Sequence, residues 1–294
     1  MQPPIMDLDL AYEACRTITR REAKNFYYAF LTLPVAKRRA IYAAYAFCRY
    51  CDDSVDEETS PDAKLAALAD LQSNLDATYS GNARSPVFLA LADVAKQYDI
   101  PQDYFRAIIL GVESDLIKDR FENFDELREY CYRVASVVGL ICLQIFGYED
   151  DEAKVCAEDL GLAMQLTNII RDVREDLEMD RVYLPQDEMA RFGYSEENLR
   201  NGVRNQAFMD LMEFQSQRAR EYFDRGFKLL PYLSRRSRAC PAVLGALYSK
   251  VLDRIEASGY DVLESRVSLS KTEKIRITAQ TWLGSMLSLS PPFR

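Results

Sequence analysis

Apolar residues recur at three- and four-residue steps along most of the chain, whereas alternating runs rich in Val, Ile and Thr are scarce. This periodicity predicts helices throughout and therefore an all-α fold. Short segments rich in Pro, Gly, Ser and Asp separate the helices, and none is long enough to be a linker between domains. We expect a single domain over residues 1–294. The predicted helices are 7–22, 35–57, 61–79, 86–98, 101–119, 124–146, 150–179, 205–230, 239–258 and 271–287.

One predicted helix carries a line of polar residues through an otherwise apolar stretch. The polar residues of YAFCRYCDDSVDE, at 45–57, follow one another at steps of four, three and four residues: Tyr45, Arg49, Asp52 and Asp56. Such spacing places them on one helical face. The neighbouring positions are apolar, which favours a helix enclosed by others, with its polar face turned towards an internal space.

A second predicted helix shows the same kind of face. Within residues 160–185, polar side chains follow at steps of three, four and four residues: Gln165, Asn168, Asp172 and Asp176. The positions between them are mainly Leu, Ile and Val. Each of the two helices therefore contains an Asp-x-x-x-Asp pair, with Arg49 close to the first pair and Arg171 close to the second.

These pairs indicate a site for metal ions and a diphosphate. Buried carboxylates one helical turn apart repel each other, so a cation must compensate them. Facing each other across a cavity, the two pairs would hold several divalent cations, which would bind a diphosphate and assist its departure from an allylic carbon. The resulting carbocation requires a dry, apolar and partly aromatic pocket. Candidate rings for this pocket are Phe26, Tyr27, Phe30, Tyr42, Tyr45, Tyr130 and Tyr132.

Composition excludes several other functions. The chain has no histidine, so it cannot contain a Ser-His-Asp triad or a His-ligated metal, and oxygen ligands favour Mg²⁺. A net charge of −9 argues against nucleic acid as a partner and against attraction to an anionic bilayer. Seven scattered cysteines indicate a reducing compartment, and the Cys48–Cys51 pair is interpreted as core packing. Since no signal peptide and no run of about 18 apolar residues is evident, we expect a soluble, cytoplasmic protein.

Two segments of the chain resemble signature regions of the squalene/phytoene synthase family, the head-to-head trans-prenyl transferases. The first is YCYRVASVVG, at 130–139. The second, residues 161–185, has these residues in the family's positions: Gln165, Asn168, Arg171, Asp172, Asp176, Arg181, Tyr183 and Pro185. The resemblance extends from about Tyr12 to Val267. It implies an all-α isoprenoid-synthase helical bundle with a large central cavity.

The resemblance also implies roles for individual residues. The Mg²⁺ ligands would be Asp52, Asp56, Asp172 and Asp176, with Asn168 beside them. Residues on the diphosphate side would be Tyr45, Arg49, Arg171, Arg181, Tyr248 and Arg266. Tyr130 resembles a tyrosine that handles a proton or stabilises a cation. Further contacts with the prenyl substrate are expected from Gln165, Phe26, Phe30, Val134 and Val138.

One position departs from the family's pattern. Many relatives have a serine-rich SxSF segment near the start of the domain, where this chain has AKNF. Ala23 therefore replaces a hydroxyl, and Asn25 stands where another is common. The expected consequence is altered hydrogen bonding at that edge of the diphosphate site.

The chain length of the substrate is inferred from side-chain size. Family members join two prenyl diphosphates through a cyclopropyl diphosphate, which some then rearrange, with or without NADPH. Bulky rings at Phe26, Phe30 and Tyr42 would shorten the prenyl tunnel, and the first motif is Asp-Asp-x-x-Asp rather than the Asp-Glu-Leu-x-Asp frequent in phytoene synthases. We therefore favour two farnesyl diphosphates and a C30 product: squalene, dehydrosqualene or presqualene diphosphate. The main alternative is phytoene synthesis from two geranylgeranyl diphosphates.

Two functions other than the joining of two prenyl diphosphates are considered for this fold. A diphosphatase that hydrolyses farnesyl diphosphate would share the carboxylate cage, whereas a non-catalytic scaffold would be expected to have lost carboxylates or arginines that stand intact here. Use of NADPH as a cofactor is left open by the sequence. An apolar product suggests transient peripheral contact with a membrane or a downstream enzyme. The apolar segment 281–294 is expected to form a last helix on the core or a surface for such a contact.

Overall fold

The computed structural model describes residues 7–23, 26–58 and 60–287, and over these ranges the protein consists of helices and short connections. The α-helices are α1 (Leu8–Glu22), α2 (Phe26–Phe30), α3 (Val35–Asp56), α4 (Pro61–Tyr79), α5 (Pro86–Gln97), α6 (Gln102–Ile117), α7 (Phe124–Cys131), α8 (Val137–Phe146), α9 (Glu152–Arg171), α10 (Val173–Glu178), α11 (Gln186–Arg191), α12 (Glu196–Arg200), α13 (Gln206–Gly226), α14 (Arg235–Ala257) and α15 (Lys271–Met286). Tyr132–Ser136 form a π-helical turn between α7 and α8, and Phe227–Tyr232 form a 3₁₀ helix before α14. No strand occurs in the described ranges, where pairing is limited to two isolated bridges.

The buried apolar residues of these helices form one continuous core. The prediction of an all-α, single-domain fold is therefore confirmed, while its extension over all of 1–294 stays a prediction. Local sequence signals start many of the helices. Ser60 and Ser85 cap α4 and α5 through their side-chain oxygens, each followed by a proline that is favourable at the first helical position. Ser270 and Glu273 form a reciprocal capping box at the start of α15.

Helix α9 occupies the centre and packs against α8, α13, α14 and the π-helical turn. Two glycines make this packing close. A Cβ atom on Gly161 would lie 2.8 Å from the carbonyl oxygen of Ala135, and one on Gly226 would lie 2.7 Å from the Cα of Leu160. Backbones can approach to this distance only where no side chain intervenes, so both positions exclude larger residues.

Two predicted helices are interrupted in the structure. The segment predicted at 150–179 is split at Asp172, whose φ of −100° and ψ of 17° end α9 before α10 begins. The segment predicted at 124–146 contains the π-helical turn. In both cases the apolar periodicity continues across the interruption, which is why the sequence pattern does not reveal it.

The predicted boundary at Cys240–Pro241 is wrong. Helix α14 begins at Arg235, and Pro241 lies within it. A proline inside a helix removes one backbone N–H and crowds the preceding turn, which normally ends a helix. Here the turn is close to the start of α14, and the Lys37 side chain of α3 donates to Ser237 in it. The short helices α2, α11 and α12 were not predicted, because five or six residues carry too little periodicity.

The cysteines are unpaired, and one helical run of the described residues is unusually apolar. All seven cysteines are free, and Cys51 is fully buried. Among the described residues, Phe124–Phe146 is long and apolar enough to cross a bilayer by length and composition alone, although Glu129 and Arg133 interrupt its apolar run. Half of its most apolar window is buried, and it packs against α9, as the core helix of a globular domain does.

Helix α15 packs on α14 and reaches α2, as expected for a last helix on the core. Thr281 is its buried residue. The outer face is apolar and exposed at Ile275, Trp282, Leu283 and Leu287. Phe293, also part of the apolar segment, lies outside the described residues. Helix α15 therefore both covers the bundle and presents an apolar strip to the outside.

Candidate active site

A cavity of about 320 Å³ runs between α3, α8, α9 and α14, with α2 closing one side. One end is polar, and most of the wall is apolar. The polar end is lined by Tyr45, Arg49, Asp52, Gln165, Asn168 and Tyr248. The apolar wall includes Phe26, Phe30, Ile41, Cys48, Val134, Val138, Cys142, Phe146, Leu229, Cys240 and Pro241. The cavity thus combines a charged end with a long apolar interior.

Helix α3 supplies the first group of polar residues. Arg49 contacts Asp52 at 3.6 Å and forms an ion pair with Asp53, which the sequence analysis did not single out. Partial burial raises the pKa of Asp52 to about 7, an effect that Arg49 opposes and the carboxylates of Asp56 and Asp115 reinforce. Asp56 is the last residue of α3 and is exposed. Of the first pair, therefore, Asp52 lines the cavity, whereas Asp56 is exposed and does not line it.

Helix α9 supplies the second group. The Asn168 side chain donates to Gln165 at 3.1 Å, while its own Oδ1 is buried without a hydrogen-bond partner. Where α9 ends, Asp172 is paired with Arg171 and accepts from Arg266 at 2.9 Å. An unpartnered buried amide oxygen is costly, so this end of the helix offers an acceptor that a ligand can satisfy.

The last carboxylate of this series lies on α10. Burial raises the pKa of Asp176 to about 7, with further contributions from Asp172 and other nearby carboxylates. Arg181 acts in the opposite direction. Because neither Asp52 nor Asp176 has a full countercharge, the two acidic groups create a site that favours added cations.

Asp115 on α6 belongs to the same site and was missed by the sequence analysis. Its charge raises the pKa of both Asp52 and Asp176, although burial and other neighbouring charges have larger effects on both. Asp115 therefore lies near both acidic groups. The Tyr183 hydroxyl donates to Asp115 at 3.2 Å, and Arg181 donates to its backbone oxygen at 3.3 Å. A single aspartate in a helix has no spacing signal, so only the fold reveals it.

Tyr130 lies next to this carboxylate, near the end of α7 and two residues before the π-helical turn begins. It is 7% exposed, and its hydroxyl lies 3.4 Å from that of Tyr183. The two rings stack with centroids 5.3 Å apart. Burial, followed by the charge of Asp115, raises the pKa of Tyr130 well above its usual value. The Tyr130–Tyr183–Asp115 series can therefore hold a proton at the inner edge of the acidic site.

The remaining predicted residues fall into two groups. Phe26, Phe30, Val134, Val138 and Tyr248 line the cavity, and Tyr248 lies 6.0 Å from Phe26 between ring centroids. Arg171, Arg181 and Arg266 surround the carboxylates and are not part of the cavity wall.

Tyr42 does not line the cavity, contrary to our expectation. It packs behind Phe30 at 6.2 Å between ring centroids. Ala23 is buried at the end of α1, and Asn25 lies outside the described residues.

The residues present fit a divalent metal. Carboxylate and amide oxygens converge on the polar end, and the unpartnered Oδ1 of Asn168 is a free ligand atom of the kind that Mg²⁺ accepts. Within the described ranges, no three acidic or cysteine side chains are already arranged as a metal site, and Asp52 and Asp172 are each in contact with an arginine. Metal and diphosphate together would exchange these pairs, with arginines moving to phosphate and carboxylates to metal.

The contacts of Asp115 lead to a first prediction. Replacing Asp115 with asparagine removes the charge that orients the two tyrosine hydroxyls, so we expect kcat to fall about 10- to 100-fold with a smaller change in KM. The matched control is Asp119→Asn, at an exposed aspartate just after α6. Steady-state kinetics with prenyl diphosphate would measure both. Wild-type kcat in Asp115→Asn would contradict a role for this carboxylate.

The fold and the sequence are similar to those of known proteins. The fold matches a crystal structure of a dehydrosqualene synthase in complex with a ligand, with a TM-score of 0.88, 30% identity, and coverage of 98% of this chain and 100% of that one. A helical bundle of this shape, with acidic and arginine residues at one end of an apolar cavity, defines a prenyl transferase. The squalene/phytoene synthase family model matches residues 19–273, and the chain belongs to that family.

Two sequence relatives are similar over nearly their whole length. One is the 15-cis-phytoene synthase of Synechococcus elongatus, 38% identical over 283 residues, which cover 92% of each protein. The other is the phytoene synthase of Mycobacterium tuberculosis, 37% identical over 293 residues, covering 97% of this chain and 94% of the relative. The family resemblance seen in the sequence is therefore confirmed. This family generally uses a divalent metal for ionisation of the diphosphate.

Proposed function

We propose that the protein joins two geranylgeranyl diphosphates head to head and forms the C40 hydrocarbon phytoene. The observation that carries this proposal is the similarity to proteins named phytoene synthase, 38% and 37% identical over more than 90% of the chain. It supports the C40 alternative better than the C30 product favoured from the sequence. The aromatic rings and the Asp-Asp-x-x-Asp motif, which favour C30, bear on chain length only indirectly.

The geometry of the cavity supports a prenyl diphosphate as substrate. The lining of α3 extends from Asp52 to Ile41, about 16 Å at the rise of an α-helix. A diphosphate at the polar end would meet Arg49, with Arg171 and Arg266 nearby, while the prenyl chain fills the apolar interior. Bound Mg²⁺ would neutralise charge on the departing diphosphate.

The apolar wall and the tyrosines account for the other requirements of the chemistry. Two allylic diphosphates first give a cyclopropyl diphosphate, diphosphate and a proton. Loss of the second diphosphate, rearrangement and loss of another proton then give phytoene, so this product requires no NADPH. The wall excludes water that would capture a carbocation, and the candidate proton acceptors are the released diphosphate and the Asp115 carboxylate, which is reached through the hydroxyls of Tyr130 and Tyr183.

The test is incubation of the purified protein with farnesyl or geranylgeranyl diphosphate and Mg²⁺, with and without NADPH, followed by mass analysis of extracted products. Phytoene from geranylgeranyl diphosphate without NADPH is the expected result. A C30 hydrocarbon or presqualene diphosphate as the preferred product would overturn the C40 assignment. Prenyl alcohols alone would favour a diphosphatase, and no turnover of either substrate would favour a scaffold.

A C30 product is the second candidate, since the similar crystal structure is that of a dehydrosqualene synthase and Phe26 and Phe30 do line the cavity. Phe30 is 4% exposed, and its ring lies 6.1 Å from that of Tyr45. Replacing Phe30 with alanine is expected to raise kcat/KM for longer substrates relative to shorter ones by about tenfold, because it removes side-chain volume from the wall. Competition between C15, C20 and C25 diphosphates would measure it. Unchanged selectivity would show that this wall does not limit chain length.

We further propose that the protein works in the cytoplasm and touches the membrane transiently through α15. The exposed residues Ile275, Trp282 and Leu283 form the apolar strip that such contact requires, and the product is a water-insoluble hydrocarbon. Binding to phosphatidylcholine vesicles, measured by flotation, should fall in a Trp282→Ser/Leu283→Ser double variant. Equal flotation of wild type and variant would contradict this surface.

A further inference from the structure

The inner end of the cavity is closed by hydrogen bonds among three helices. The Lys37 ammonium, on α3, donates to the backbone oxygen of Phe146 at 2.5 Å and to the hydroxyl of Ser237 at 2.9 Å. The Ser237 hydroxyl, on α14, also donates to the Phe146 oxygen at 2.9 Å. We call these three residues the inner clamp. It joins the start of α3, the end of α8 and the start of α14.

The groups of the inner clamp are buried or partly buried, so each needs a hydrogen-bond partner within the protein. Ser237 is fully buried, and burial lowers the pKa of Lys37. The Phe146 carbonyl is the last of α8 and would otherwise have no helical partner, so an ammonium group there satisfies both the orphan acceptor and the helix dipole. Pro241 has no N–H and leaves the Ser237 carbonyl without its usual helical donor. The inner clamp therefore adds side-chain hydrogen bonds to a turn of α14 that lacks one backbone hydrogen bond.

The inner clamp lies directly beyond the cavity. Ile41, the innermost lining residue of α3, is one helical turn from Lys37. Phe146 is itself part of the cavity wall, and Pro241 of α14 lines the same end, one turn after Ser237. Each of these helices thus passes from the cavity wall to the inner clamp within about one turn. The clamp holds the backbone of Phe146 at the end of the cavity, where its side chain forms part of the wall.

We propose that Phe146 is the end stop for the prenyl chain and that Lys37 and Ser237 are positioning residues that hold it there. This inference rests on the proposed function in so far as the ligand is a prenyl diphosphate, but it does not depend on whether C15 or C20 is the natural length. A chain that reaches Phe146 is accepted, and one additional isoprene unit meets the ring. Selectivity between consecutive chain lengths is then set at this end of the cavity rather than at the diphosphate.

The first part of the test changes the size of residue 146. Wild type, Phe146→Leu and Phe146→Trp would be compared in kcat/KM with C15, C20 and C25 all-trans prenyl diphosphates. The smaller side chain is expected to raise the C25-to-C20 ratio by about tenfold, and the larger one to lower the C20-to-C15 ratio by about the same factor. The matched control is Phe105→Leu, at a fully buried phenylalanine of α6 that does not line the cavity, which should leave both ratios unchanged.

The second part addresses the inner clamp. Lys37→Met keeps the aliphatic stem and removes the donors, so the C25-to-C20 ratio should rise as in Phe146→Leu. Lys37→Arg keeps a charged donor and should restore the wild-type ratio. A purely structural lysine would lower thermal stability and the turnover of all substrates together without changing the ratio. That outcome in Lys37→Met would remove Lys37 from the proposal.

The results separate this inference from the proposed function. A wild-type preference for C15 would overturn the C40 assignment, and the ratios in the variants would still report on the end stop. Wild-type ratios in both Phe146→Leu and Phe146→Trp would overturn the end stop, whatever substrate the wild type prefers. Shifts in both directions, with no shift in Phe105→Leu, would establish it.

Discussion

Replacing Asp52 or Asp176 with asparagine is expected to lower kcat with prenyl diphosphate by about 10²- to 10³-fold, the usual cost of losing one preorganised charge-stabilising group. Both carboxylates are at the polar end of the site, and both have a pKa raised to about 7 by burial and by neighbouring carboxylates. Asparagine keeps the shape and removes the charge. The free energy of unfolding should stay the same or increase, because the substitution removes repulsion within the folded protein.

This opposite movement of activity and stability makes the experiment specific. Glu57→Gln is the matched control, since Glu57 is an exposed acidic residue directly after α3, and it should retain wild-type kcat. Product formation and urea unfolding would be measured on the same preparations. Asp176→Asn with wild-type kcat would exclude this carboxylate from the chemistry. A large loss of stability together with activity would instead indicate that the carboxylate supports the fold.

The largest expected loss of stability lies at a buried ion pair away from the cavity. Arg218 on α13 makes two hydrogen bonds to the carboxylate of Glu188 on α11, which also accepts from Gln215 at 2.7 Å. The Arg218 guanidinium lies 3.8 Å from the centroid of the Phe124 ring. The side chains of Glu188 and Arg218 are 10% and 14% exposed, so water can replace the lost partner only poorly.

Replacing Glu188 with alanine should therefore lower the free energy of unfolding by about 3 kcal/mol, because Arg218 is left as an uncompensated buried charge. Urea denaturation followed by circular dichroism would measure the change. The control is Glu221→Ala, at an exposed position of the same helix as Arg218, with an expected effect within about 0.5 kcal/mol. Equal midpoints for the two variants would contradict the importance of this pair.

The polar face of α9 illustrates what the sequence predicts well. Regular spacing and an apolar context suffice to place Gln165 and Asn168 on one face, and the structure has both at the polar end of the cavity. The same reasoning placed Asp172 and Asp176 in one continuous helix, but the chain breaks at Asp172. Periodicity reports the direction of side chains and does not report a local change of backbone torsion.

The contacts missed from the sequence share a different property. Asp115 reaches the site through Tyr183, and Lys37 reaches Phe146 and Ser237, residues 109 and 200 positions further along the chain. Single residues that meet only after folding leave no repeat in the sequence. Tyr42 shows the opposite error. Its position in an aromatic segment predicted that it lines the prenyl tunnel, but its ring packs behind Phe30 and does not line the cavity. Side-chain type alone does not distinguish a residue that lines the cavity from one that packs behind the cavity wall.

The π-helical turn at Tyr132–Ser136 has a consequence for how this gene can change. Such a turn is geometrically equivalent to one residue inserted into an α-helix, and it shifts the phase of everything before it by about 100° relative to everything after it. Tyr130, before the turn, lies at Asp115, while Val138, after the turn, lines the cavity. Loss of a single codon here would separate these two alignments, whereas a substitution that keeps the length of the turn leaves the phase unchanged. The alignment of Tyr130 with the acidic site and of Val138 with the cavity therefore depends on the length of this segment.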